Sequence, residues 1–184
     1  TMEPAYATAG DAFDYAVADN IVHLAIFDAM GHDTSAGLTA NLAVACSRSE
    51  RRKTNDLIQT CAAIEKTLLK QFIDSRFVTA LLANLDLRSG MLTWLTCGHE
   101  PPVLIRDGRR VTHPVCPPAP PLGTDLGVRP TLCHEQLQPG DRLLLYTDGI
   151  TEAQDVWGRE FGLDQFVDFI IRHQADGMTA PETL

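Results

Sequence analysis

Two apolar runs in this chain stop abruptly at an aspartate, and this feature constrains the fold more than any other. Residues 21–28 (IVHLAIFD) end at Asp28 and lead into Ala29-Met30-Gly31-His32. Residues 142–147 (RLLLYT) lead directly into Asp148-Gly149. Each run has the length and composition of a buried strand. A carboxylate at the end of such a strand is held rigidly at the rim of a sheet, with a turn beyond it. Asp-Gly alone is a common turn dipeptide; it is the joint placement after two apolar strands that sets these aspartates apart.

The remaining pattern alternates strands with a few helices. Residues 12–18 (AFDYAVA) alternate loosely and end at Asp19-Asn20, which predicts a hairpin with 21–28. A helix is expected over 34–52, capped by Asp33 or Thr34. A second fits 55–72, where Leu57, Ile58, Cys61, Ile64, Leu68 and Phe72 recur at three- and four-residue spacing and form one core stripe. Hairpins are expected over 76–87 and 91–97, around Arg88-Ser89-Gly90, and over 102–106 and 109–112, around Asp107-Gly108. The stretch 114–130 carries six prolines and must be extended or looped. A strand near 131–136, the turn Gln138-Pro139-Gly140-Asp141, the strand 142–147 and a helix over 163–173 complete the chain. No internal repeat and no linker marks a second domain, so residues 1–184 are expected to form a single domain.

Charge excludes some functions. Fifteen Lys and Arg stand against 24 Asp and Glu, a net charge of −9. The longest basic run, Arg51-Arg52-Lys53, reads as a solvated helix end, so no nucleic-acid partner is expected. No apolar run approaches the ~18 residues of a membrane span. Glu3, Pro4 and Tyr6 stand where a signal peptide needs apolar residues. The five cysteines (46, 61, 97, 116 and 133) are odd in number and contain no CxxC pair. Reduced thiols and a cytoplasmic location are therefore expected, rather than a zinc site or a disulfide framework. Gly10-Asp11 opens the first hairpin, which can place Asp11 near Asp28. Asp11, Asp28 and Asp148 at one rim would repel unless a cation neutralised them, and such oxygen ligands suit magnesium or manganese.

These residues also resemble a family. Ala9-Gly10-Asp11-Ala12-Phe13-Asp14 resembles the Gly-Gly-Asp-x-x-Asp opening of SpoIIE-type serine/threonine phosphatases, the bacterial branch of the metal-dependent type 2C protein phosphatases. Asp28-Ala29-Met30-Gly31-His32 is similar to their Asp-Val-x-Gly-His-Gly, and Phe77-Val78-Thr79 to their Phe-x-Thr strand. Cys97-Gly98-His99-Glu100-Pro101-Pro102, Pro121-Leu122-Gly123 and Pro139-Gly140-Asp141 resemble further signatures in family order. Tyr146-Thr147-Asp148-Gly149-Ile150-Thr151-Glu152-Ala153, then Gly158 and Phe161-Gly162, close the series.

The resemblance implies an α+β fold in which two antiparallel β-sheets pack as a sandwich flanked by helices (αββα). It implies a centre of two Mn2+ or Mg2+ ions that activates water and shields the phosphoryl oxygens. Asp28 would bridge the ions, the Ala29 carbonyl would complete one shell, Asp148 would serve one ion, and Asp11 would bind directly or through water. Asp14 is expected to be structural, and His32 and His99 to fix loops. His23, His113, His134 and His173 show no ligand spacing. Asp33 replaces a family glycine; it tolerates a left-handed backbone, can cap the helix, and could add a carboxylate near the metals. Ala9 replaces the first glycine of the opening signature. The opening strand, just before Tyr6, is expected to be clipped, and no strand carrying the family's last metal-binding aspartate is expected after Asp176.

The implied activity is hydrolysis of phosphoserine or phosphothreonine on a phosphorylated STAS-domain anti-sigma-factor antagonist, with sensor domains in the same, longer polypeptide. The competing expectation is a pseudophosphatase that docks a partner without turnover, which Asp33 and the absent last ligand favour and the retained Asp11, Asp28 and Asp148 oppose.

Overall fold

The computed structural model of the chain describes residues 10–71 and 76–175. In chain order its elements are β1 (Asp11–Ala18), β2 (Ile21–Ala29), α1 (Thr34–Arg51), α2 (Leu57–Gln71), β3 (Val78–Asp86), β4 (Met91–Cys97), β5 (Val103–Arg106), β6 (Arg110–Thr112), β7 (Cys133–Gln136), β8 (Arg142–Leu144), α3 (Asp148–Thr151) and α4 (Leu163–Ala175). Phe72, expected to end the α2 stripe, lies outside the described residues, as do Tyr6, Ala9 and Asp176. The two antiparallel sheets and their helices give the α+β class expected. The described residues fall in two compact units, one from 10–101 with 114–137 and one from 102–113 with 138–175. Among the described residues no helix is long and apolar enough to cross a membrane.

The larger unit holds a five-stranded antiparallel sheet in the order β1-β2-β3-β4-β7. Asp19 (φ 51°) and Asn20 (φ 64°) both adopt the left-handed backbone of the two-residue turn that joins β1 to β2. Strand alternation then sorts the side chains. Phe27 and Ala29 of β2, Val78, Ala80 and Leu82 of β3, and Leu95 and Cys97 of β4 enter one core. Ala36, Ala40 and Ala43 of α1 and Leu57, Cys61, Ile64 and Leu68 of α2 cover that face. The alanines recur three and four residues apart and present a smooth helix face.

Among the described residues one buried acid lies on the covered face. Asp14 of β1 is buried, and its carboxylate accepts from Arg48 (Nε–Oδ1 2.9 Å) and from Arg51, both of α1. Burial raises the Asp14 pKa, but the hydrogen bonds and charges of the two arginines outweigh it and hold the carboxyl below the usual range. Asp14 is thus a clasp between β1 and α1. Asp14→Ala should destabilise the chain by about 2–3 kcal/mol in urea unfolding at pH 7. A depressed folded-state pKa gives stability that is present above the unfolded carboxyl value and lost as pH falls through the folded one. The gap between wild type and variant should therefore close below about pH 4.

The cysteines depart from expectation. Cys116 and Cys133 form a disulfide with Cα atoms 5.8 Å apart, so the expectation of reduced thiols without a disulfide is corrected for this pair. The odd count and the separation of 17 residues conceal the pair in the sequence. The fold brings it together because β7 pairs Cys133 with Trp94 of β4 while the proline-rich segment returns to the same sheet. That segment lacks regular structure, yet Leu122 exchanges two backbone hydrogen bonds with Val78 (2.8 and 2.9 Å), and the Ala119 carbonyl accepts from Gly98 N. Cys61 and Cys97 are buried core thiols 3.6 Å apart. Their hydrogen bond, and then burial, pushes the Cys61 thiol well up, away from reactivity.

The smaller unit holds the sheet β6-β5-β8. Phe166, Val167 and Ile170 on one side of α4 pack with Val103, Ile105 and Tyr146. Asp141 of the Pro-Gly-Asp turn receives Arg106 (Nη2–Oδ2 2.9 Å) and Gln138 N (2.9 Å), so it ties the turn to β5. The strand expected over 142–147 ends at Leu144, and a short helix that the sequence reading did not anticipate begins at Asp148.

Candidate metal centre

Asp28 sits opposite Asp11 of β1 and, on its other side, opposite Thr79 of β3. Residues paired across neighbouring strands share a face. Phe27 and Ala29 point into the helix-covered core, so Asp28 points to the other face, half-buried, in a row with Asp11 and Thr79. The row continues through a hydrogen bond of 2.7 Å between Thr79 Oγ1 and His99 Nδ1. His99 is buried, and its carbonyl accepts from Thr96 Oγ1 at 2.8 Å. Thr79 has no role in the sequence reading beyond its place in a strand signature. Only the β2–β3 register sets it beside Asp28.

The backbone closes tightly around this end of the sheet. Ala29 N donates to the Gly10 carbonyl at 3.0 Å, and Met30 N to the Phe77 carbonyl at 3.1 Å. A Cβ at Gly10 would stand 2.4 Å from the Ala29 carbonyl oxygen, so only glycine permits this approach. Gly31, at φ +93°, turns the chain into α1. His32 is exposed in that turn.

Asp33 is the N-cap of α1. Its Oδ1 accepts from Ala36 N at 2.8 Å and lies 3.7 Å from Arg76 Nη1. Its backbone is extended (φ −94°, ψ 176°), so the left-handed tolerance invoked for it has no part here. Asp33→Ala should cost about 1 kcal/mol of stability and Asp33→Gly only a few tenths, as read by thermal unfolding. A large change in manganese affinity without a stability change would instead place Asp33 in the metal site.

Asp148 is the first residue of α3, exposed, with Thr147 as N-cap. It belongs to the smaller unit, whereas Asp11, Asp28 and Ala29 belong to the larger. The register thus brings Asp11 and Asp28 together. Among the described residues no group of three or more His, Cys, Asp or Glu gathers into an ion cage. Two opposed carboxylates fit a hard divalent cation that completes its shell with backbone oxygen and water. A soft metal would want thiols, and Cys61 and Cys97 lie buried in the helix-covered core, with Cys46 partly buried against it.

Known proteins resemble this chain along most of its length. The family model described as Stage II sporulation protein E (SpoIIE) matches residues 18–183. The chain is similar to protein IcfG of Synechocystis sp., 23% identical over 195 residues, which cover 91% of the chain and 31% of IcfG. Among solved structures it is similar to the RsbU and RsbW domains of Rv1364c from Mycobacterium tuberculosis, with a TM-score of 0.74, 26% identity, and coverage of 91% of this chain and 46% of that one. It is also similar in fold to the SiaA-PP2C domain of Pseudomonas aeruginosa, with a TM-score of 0.76, 21% identity, and coverage of 90% and 66%. The chain therefore spans about a third of the curated relative and under half of the Mycobacterium chain.

Proposed function

Because the chain belongs to the stage II sporulation protein E family, we propose that it is a metal-dependent phosphatase that hydrolyses phosphoserine or phosphothreonine on a regulatory protein. The observation that carries this reading is the opposition of Asp11 and Asp28 across β1 and β2, on the face turned away from the helices. When bound, two Mn2+ or Mg2+ ions supply an activated water and neutralise charge on the phosphoryl group. Asp28 would hold both ions, with the Ala29 carbonyl completing one shell. Asp148 would hold one ion, and Asp11 would bind directly or through water. Thr79 and His99 would brace the row beside Asp28.

The substrate in this reading is a phosphorylated STAS-domain anti-sigma-factor antagonist, released on dephosphorylation to engage its kinase in a cytoplasmic partner switch. The pairing of RsbU and RsbW domains in Rv1364c supports a regulatory pathway of that type. Residues 1–184 would act as one phosphatase domain of a longer regulator that carries sensor domains, in keeping with the 31% of IcfG that they match. The test is hydrolysis of p-nitrophenyl phosphate and of a phosphothreonine peptide with manganese. Turnover abolished by chelation and restored by the metal supports the reading. A chain that binds manganese but turns over neither substrate is a pseudophosphatase.

A further inference from the structure

Among the described residues of the smaller unit, the loop that follows α3 carries the most exposed apolar pair. Val156 is 88% and Trp157 77% exposed, at the tip of a turn bounded by the bridge between Gln154 and Glu160. Adjacent in sequence and both exposed, the two side chains offer neighbouring apolar surface on one turn, and contiguous exposed apolar surface is what interaction sites are made of.

The tip is rigidly built. The Asp155 carboxylate accepts from Trp157 N (2.8 Å), Arg159 N (3.0 Å) and Arg159 Nε (2.8 Å). Asp155 N donates to the Arg159 carbonyl at 3.0 Å, and Gly158, at φ +78°, closes the turn. The Arg159 guanidinium lies 5.2 Å from the Trp157 ring centre and fixes one side of the indole. The base is tied to the helix that begins at Asp148: Gly162 N donates to the Thr151 carbonyl, Phe161 N to Ala153, and Glu152 N to Asp148. A pre-ordered aromatic anchor loses little entropy on binding, and Trp and Arg are the residues that dominate interface energies.

We propose that Val156 and Trp157 form a docking tip for the folded phosphoprotein whose phosphate is presented at Asp148, an inference that rests on the phosphatase reading above. The short, braced path from Asp148 to the tip places anchor and phosphate site on one rigid segment. The charge of that segment argues for a protein rather than an anionic lipid surface. Asp148, Glu152, Asp155 and Glu160 oppose the single cation Arg159.

The chain has two tryptophans, and Trp94 is buried, so an acrylamide-accessible emission reports on Trp157 alone. Wild type and Trp157→Ser are compared on p-nitrophenyl phosphate and on a phosphorylated STAS-domain protein, with Trp157→Phe as the conservative control. The variant should lose about 30-fold in kcat/KM on the phosphoprotein, mainly through KM. It should stay within about two-fold on p-nitrophenyl phosphate, and Trp157→Phe should recover most of the loss. In wild type the phosphoprotein should shield Trp157 from acrylamide. Equal losses on both substrates, or none on the phosphoprotein, overturn the proposal. Turnover of the small substrate with neither turnover nor binding of the phosphoprotein overturns the docking tip and leaves the phosphatase reading standing. Shielding of Trp157 without any turnover does the reverse. Neither turnover nor shielding overturns both. Shielding by phosphatidylserine vesicles instead of the protein assigns the tip to a membrane and overturns the proposal.

Discussion

Asp28→Asn should lower manganese-dependent turnover by on the order of 10³-fold, equivalent to about 4 kcal/mol of transition-state stabilisation. The substitution removes the charge that would hold both ions and leaves the volume of the side chain almost unchanged. It also removes one of two carboxylates that face each other across β1 and β2, and like charges in that position oppose pairing. Relief of that repulsion offsets what the substitution costs, so the fold should survive, with Tm within about 2 °C of wild type. Loss of activity at constant stability separates a ligand from a structural residue. A variant with most of its activity would remove Asp28 from the chemistry.

Asp148→Ala should act on one ion. It should lower kcat/KM about 10²-fold and weaken one manganese site in calorimetry while the other persists. Asp148 is exposed in the first turn of the four-residue α3, so its loss should leave the unfolding midpoint nearly unchanged. Two unaltered manganese sites would make Asp148 an ordinary helix-start residue.

The legible and illegible parts of the chain divide along physical lines. The hairpin of β1 and β2 was readable because Asp19-Asn20 supplies the two left-handed positions such a turn demands, α1 because alanine and leucine dominate it behind a capping residue, and α2 because its apolar residues keep helical spacing. The facing of Asp11 and Asp28 followed from that hairpin. Three features needed tertiary structure. The residues 145–147 look like strand because Leu145 and Tyr146 are apolar, but Tyr146 is buried against β5 and α4 without ladder pairing. The Cys116–Cys133 disulfide depends on how the proline-rich segment returns to the edge of the sheet. Thr79 and His99 meet only through the packing of β3 against the turn after β4, which no local pattern records. Asp14 and Asp11 lie three residues apart in one strand, and alternation sends them to opposite faces, one to the arginines of α1 and one to the row with Asp28.

The most direct measurement is a crystal of the protein soaked in manganese, read by anomalous scattering. The account predicts two peaks, both within roughly 2.0–2.3 Å of Asp28 carboxylate oxygens, one of them also beside the Ala29 carbonyl. Peaks elsewhere, or a manganese site that does not include Asp28, would contradict it.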